Sequence, residues 1–138
     1  LFLYTTLFRS TFQQVDMLQA TAKLPRPQPW DIIVSNPPYV CYREKALMTA
    51  NVLQYEPRQA LFVPDDDPLR FYRAIGHYAL ATLKPLGRLY LELNAAHAQA
   101  TADLLQALGI GNVNILADPF GKERFISACK KTTEKTSE

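Results

Sequence analysis

The chemistry most legible in this chain lies in four consecutive residues, Asn36, Pro37, Pro38 and Tyr39. An asparagine side chain offers a carbonyl oxygen, and a proline adds a backbone carbonyl with no amide hydrogen of its own to compete. Side by side, the Asn36 side-chain oxygen and the Pro37 carbonyl can accept both N–H bonds of a planar NH2 group, in an amide or a nucleobase. Pro38 shapes the turn and Tyr39 can stack on the planar group. The nitrogen of such a group is a poor nucleophile because its lone pair is delocalised, so a general base helps little. Holding it in line with an activated methyl and away from water helps far more, by on the order of several kcal/mol. The expected chemistry is methylation of an amino group. A bare Pro-Pro would read as an ordinary turn, and it is the company of Asn and an aromatic behind an apolar run that points to a site.

That run is Trp30 to Ser35, with Ile32, Ile33 and Val34 consecutive and β-branched. It predicts a strand buried on both faces, as in a parallel sheet with helices either side. The two prolines cannot donate to a ladder and hold the residues before them extended, so the strand ends in a stiff loop. In open α/β sheets ligands bind at that carboxyl end. Upstream, Thr11 to Val15 predicts a short strand followed by Asp16 and Met17, and Ala20 to Pro29 predicts a surface connection. Downstream, Arg43 to Leu53 predicts a short helix whose charges on Arg43, Glu44 and Lys45 face solvent. Glu56-Pro57 is expected to cap or brace that segment. Asp65-Asp66-Asp67-Pro68 reads as a helix start with Asp67 as N-cap and Pro68 at the first helical position, in preference to a metal site.

A 3.6-residue stripe through Leu69, Tyr72, Ile75, Ala79 and Leu83 predicts a helix ending at Lys84-Pro85-Leu86-Gly87. A strand over Arg88–Leu93 follows, with Glu92 near its end, then a helix from Ala95 to Leu108 closed by Gly109. Strands over Val113–Ala117 and Arg124–Cys129 come last. Only Asp118 to Glu123 separates them, too few residues for a parallel crossover, so the pair must be antiparallel.

Ser35-Asn36-Pro37-Pro38-Tyr39-Val40 resembles the Asn-Pro-Pro-Tyr motif of S-adenosylmethionine-dependent amino-group methyltransferases. Within that group the chain most resembles the PrmC/HemK family of release factor glutamine (N5) methyltransferases, from about Thr11 to Lys130. Glu56-Pro57 with Ala60-Leu61, Gly87 leading to Leu91-Glu92, and Asp118 with Gly121 and Arg124 share in the likeness. The resemblance implies an α/β fold, a Rossmann-like class I methyltransferase domain whose mostly parallel sheet ends in one antiparallel strand. It implies S-adenosyl-L-methionine as cofactor, a peptide chain release factor with a Gly-Gly-Gln loop as partner, and a cytoplasmic setting. Asn36, Pro37, Pro38 and Tyr39 become the catalytic residues. Asp16 is expected at the adenine amino group, Met17 beside the ring, and Asn36 on the cofactor side as well as the substrate side.

The likeness also marks what these residues lack. The family's Gly-rich cofactor loop has no counterpart, since Gly109-Ile110-Gly111 follows a helix and not a strand. The domain is therefore expected to be an incomplete, carboxyl-terminal part of a longer enzyme, with residues 11–130 as the methyltransferase part. In the resembled fold Ile32–Ser35 lies between a first strand, missing here, and Leu89–Leu93, so it is expected to be an exposed, apolar edge. Residues 1–10 resemble a translated sequencing adaptor and are set aside as a non-native segment. Residues 131–138 form a polar tail expected to be disordered.

Composition narrows the alternatives. Fifteen basic residues against thirteen acidic leave a net charge of +2, no nucleic-acid footprint by itself. That counts against the runner-up, a DNA or RNA amino-group methyltransferase acting on adenine N6 or guanine N2. A third reading is an inert truncated product. Cys41 and Cys129 lack metal-ligand or disulfide spacing, and no stretch is apolar enough to span a membrane.

Overall fold

The computed structural model describes residues 10, 12–19 and 29–132. The adaptor-like segment and the Ala20–Pro29 connection fall almost wholly outside these residues, as does most of the polar tail. In chain order the described elements begin with β1 (Trp30–Ser35), β2 (Val40–Cys41), a 3-10 turn (Tyr42–Leu47), α1 (Ala50–Tyr55), α2 (Arg58–Leu61) and β3 (Phe62–Val63). They continue with α3 (Arg70–Thr82), β4 (Leu83–Glu92), a second 3-10 turn (Ala95–His97), α4 (Ala98–Ala107), β5 (Gly111–Ala117) and β6 (Glu123–Cys129).

The main sheet has the order β1-β4-β6-β5. β1 pairs parallel with β4, while β6 runs antiparallel to both β4 and β5. Three strands therefore share one direction and only β6 is reversed, as the short connection before it requires. Asp118 builds that connection. Its Oδ1 accepts from the Phe120 and Lys122 amides at 2.9 and 3.0 Å, Gly121 takes φ +81°, and Arg124 Nε lies 3.6 Å from Oδ2. These backbone bonds, with Arg124 beyond them, hold the Asp118 carboxyl below the ordinary carboxylate range.

One face of the sheet carries the core. Leu89, Leu91, Ile126 and Ala128 pack against Tyr72, Ile75 and Ala79 of α3 and Ala98, Ala102 and Leu105 of α4. Both helices bury residues at i, i+3, i+4 and i+7, the spacing of a single apolar stripe. They meet closely at Gly76, where a Cβ would come within 2.7 Å of Leu108 Cδ1. α4 ends in a Schellman motif: the Gly109 and Ile110 amides donate to Gln106 and Leu105 carbonyls at 2.9 and 3.0 Å, with Gly109 at φ +98°.

Several local expectations are corrected. Residues 12–15 form no strand, and Phe12 is 87% exposed; no described strand lies beside them to take up their hydrogen bonds. The Ile32–Val34 run is covered on one side only. Ile33 packs on the core while Ile32 and Val34 are 55% and 75% exposed, because β1 is a sheet edge whose second face no described element covers. The single helix expected over Arg43–Leu53 is two pieces, since Met48 and Thr49 are extended. Asp67 does not cap α3, which starts at Arg70 after Leu69; its carboxylate takes two 3.1 Å bonds from the Arg73 guanidinium instead. The Lys84–Gly87 turn is drawn into β4, with Leu86 at φ +65° and its amide bonded to the Lys130 carbonyl. Among the described residues no helix is long and apolar enough to cross a membrane, and no cluster of His, Cys, Asp or Glu could hold a metal ion.

Candidate active site

Asn36 follows the last residue of β1, at the carboxyl end that β1 shares with β4. It is exposed, and no hydrogen bond among the described residues occupies its side chain. Pro37 is buried behind it, and Pro38 and Tyr39 are half-buried. A cleft of about 270 Å3 opens beside Asn36, lined by Val34, Tyr90, Glu92 and Phe125 among others. It lies on the sheet face that no described element covers, near the carboxyl ends of β1 and β4, with Asn36 in its lining.

Tyr39 is held at both ends. Its hydroxyl donates to Glu92 Oε1 at 2.8 Å, and its carbonyl oxygen lies 3.4 Å from Asn94 Nδ2. Burial, then the hydrogen bond and charge of Glu92, push the Tyr39 phenol up from 10 to about 12. Beneath it, Tyr72 Oη donates to the Glu92 carbonyl at 3.3 Å. Burial raises its pKa further still. The end of β4 thus supplies the floor on which the loop rests.

Past the loop, Val40 and Cys41 pair with Phe62 and Val63 as a two-stranded parallel ribbon, and Tyr42 stacks on Phe62 at 5.2 Å. Cys41 is fully buried with its Sγ 3.6 Å from His97 Nε2. Burial and the neighbouring Glu44 carboxylate push the thiol up, so the nucleophilic thiolate is disfavoured there. Glu44 is not solvated as its sequence setting suggested. Its carboxylate accepts from the Cys41 amide at 2.8 Å and from Asn94 Nδ2 at 3.0 and 3.2 Å. The bracing expected of Glu56-Pro57 falls to this pair, while Glu56 and Pro57 are exposed residues between α1 and α2.

The structure brings Asn36, Pro37, Pro38 and Tyr39 together with Glu92, but no described contact joins them to Asp16. The Asp16 carboxylate accepts from the Leu18 amide and from Gln19 Nε2, each at 3.0 Å, within its own exposed turn. Met17 packs against the core. Sequence reasoning missed Glu44 and Asn94 as partners of the loop. The one available signal was Glu44 three residues after Cys41, capping-box spacing with a cysteine in place of the usual serine or threonine.

Comparison with known proteins bears on this geometry. No family model matches the chain. It is 50% identical over 99 residues to the release factor glutamine methyltransferase of Bacteroides thetaiotaomicron, covering 72% of this chain and 36% of that protein. It is 46% identical over 99 residues to the enzyme of the same name from Flavobacterium psychrophilum, covering 72% and 35%. For that of Cereibacter sphaeroides the identity is 44% over 102 residues, covering 74% and 36%. The fold is similar to the crystal structure of a release factor-specific protein-(glutamine-N5) methyltransferase from Alicyclobacillus acidocaldarius, with a TM-score of 0.50 at 22% identity over 84% of this chain and 56% of that one.

Three co-directional strands, one reversed strand and a proline-locked loop at the strand ends make this part of a class I, Rossmann-like methyltransferase domain. The chain spans about a third of the length of the curated relatives it matches. It belongs to the release factor glutamine methyltransferase family.

Proposed function

We propose that this chain forms the amide-gripping part of an S-adenosylmethionine-dependent enzyme that methylates the glutamine side-chain nitrogen in the Gly-Gly-Gln loop of a cytoplasmic peptide chain release factor. The observation that carries the reading is Asn36, exposed with an unoccupied carboxamide at the β1 end, backed by buried Pro37 and facing a cleft shared with Glu92. The Asn36 oxygen and the Pro37 carbonyl accept the two amide N–H bonds and fix the plane of the substrate nitrogen. Tyr39, tethered to Glu92 and packed against the core, anchors the loop beside the cleft. Neither role asks for a base, in keeping with a nucleophile that needs alignment more than deprotonation.

The cofactor supplies an electrophilic methyl when bound. The residues present fit it in part: the cleft beside Asn36 has room for a reacting end, and Asp16 keeps spare lone pairs on both oxygens for an adenine amino group. The names of the relatives favour a glutamine amide over a nucleobase.

The test uses a chimera in which the matched stretch of the B. thetaiotaomicron enzyme is replaced by that of this chain. Asn36→Ala is expected to lower methyl transfer to a release factor by about 10²–10³-fold, the cost of losing one preorganised hydrogen-bonding group. S-adenosylmethionine binding should stay nearly intact. Undiminished turnover would remove Asn36 from the mechanism, and methyl groups found by mass spectrometry on adenine and none on glutamine would replace the substrate.

A further inference from the structure

Among the described residues, both hydrogen bonds that reach Tyr39 from outside the loop come from the end of β4 and the residues just past it. Glu92 takes its hydroxyl and Asn94, two residues on, reaches its carbonyl. Asn94 is itself held on both sides. Its Oδ1 accepts from the Ala96 amide at 3.1 Å, which caps the second 3-10 turn, and its Nδ2 faces both oxygens of Glu44. Glu44 in turn accepts from the Cys41 amide, so one carboxylate ties the chain just beyond the catalytic loop to the strand that floors it. Glu44 and Asn94 lie 50 positions apart and both are half-buried. In that setting a carboxylate–amide bond is stronger and more directional than its exposed equivalent.

Resting on the function proposed above, we propose that Glu44 and Asn94 are positioning residues for amide methylation. Glu44 orients the Asn94 carboxamide, Asn94 fixes the Tyr39 carbonyl, and the Tyr39 backbone sets the pitch at which Asn36 and Pro37 meet the substrate nitrogen. Neither side chain touches the reacting atoms. Pro37 and Pro38 make the loop stiff, and stiffness transmits a displacement at Tyr39 to Asn36 instead of absorbing it. A shift of about 1 Å at such a site costs on the order of 10²-fold in rate.

The alternative is that Glu44 only caps its 3-10 turn, and reciprocal substitution in the same chimera separates the two. Glu44→Gln keeps one acceptor for the Cys41 amide but puts an NH2 against Asn94 Nδ2 in place of Oε1, and Asn94→Asp opposes two carboxylates. Each is expected to lower kcat by about tenfold or more, with KM for S-adenosylmethionine changed less than about twofold, since alignment and not cofactor affinity is lost. Each should also speed amide hydrogen exchange across residues 36–42 with core peptides unchanged. In the double variant Glu44→Gln/Asn94→Asp, the introduced glutamine can donate to the introduced aspartate and still accept from the Cys41 amide. That aspartate still caps the Ala96 amide, but it has no donor left for the Tyr39 carbonyl. The melting temperature of the double variant is therefore expected to recover while kcat stays low. Recovery of kcat together with stability, or single variants with unchanged exchange at 36–42, would overturn the proposal. Failure of the underlying functional reading looks different: the unsubstituted chimera would place its methyl somewhere other than the glutamine amide, while the exchange measurement would still report on the clamp.

Discussion

At the scale of single residues, the site is built from an unoccupied acceptor next to a fully committed aromatic. Asn36 has nothing to release before it meets a substrate amide, whereas Tyr39 is anchored through Glu92. That anchoring has a pH signature. The folded-state pKa of Tyr39 lies above its ordinary value, so the fold favours the neutral phenol. Its contribution is fully present below pH 10 and is lost as pH rises through about 12. Tyr39→Phe is expected to flatten the decline of melting temperature across that window and to remove one high-pH step from the tyrosinate absorbance titration. A decline of unchanged steepness would assign it to the other buried phenol, Tyr72. The four loop residues could be read from sequence because they are contiguous. Glu44 and Asn94 could not, because what matters about each is a partner about fifty positions away.

At the scale of elements, helix ends and turns were legible where one residue type satisfies a backbone demand. Gly109 ends α4 as expected, since the Schellman turn needs a positive φ that only glycine adopts freely. No atom lies within 4 Å of the place a Cβ would occupy there, so Gly109→Ala tests conformation alone. It is expected to cost about 1–2 kcal/mol, the penalty of a left-handed L-residue, measured by denaturant unfolding of the chimera. A neutral effect would mean that the turn rearranges. The start of α3 was misplaced for the converse reason. An aspartate before a proline is a good cap locally, but a guanidinium one helical turn inside offers Asp67 two bonds. Such competition between a backbone amide and a charged side chain is not decided by spacing.

At the scale of the whole molecule, the sheet is covered on one face, and among the described residues nothing covers the other. Ile32, Val34, Leu116 and Phe125 stand on or beside that second face, each more than 40% exposed, and β1 is the edge. An apolar, β-branched edge strand is a template for association with other chains. The 138-residue chain by itself is expected to self-associate, and Val34→Lys to reduce light scattering at equal concentration without changing the circular dichroism of the helices. Equal scattering from both would place the sticky surface elsewhere.

Sequence by itself determined the apolar stripe of α3, the stop of α4 at Gly109, the Asn36–Tyr39 loop and the antiparallel pairing of β5 with β6. Each of these is set by interactions within a few residues or by a connection too short to cross over. Tertiary structure alone decided that Ile32 and Val34 face outward while Ile33 faces the core, since a continuous apolar run carries no period to say which side is covered. It also decided that residues 12–15 are not a strand, because a strand exists only with a neighbour to bond. The same holds for the brace of the catalytic loop. A carboxylate's partner is chosen by whichever donor the packed chain brings within about 3 Å, and for Glu44 that donor is Asn94, delivered by the far end of β4.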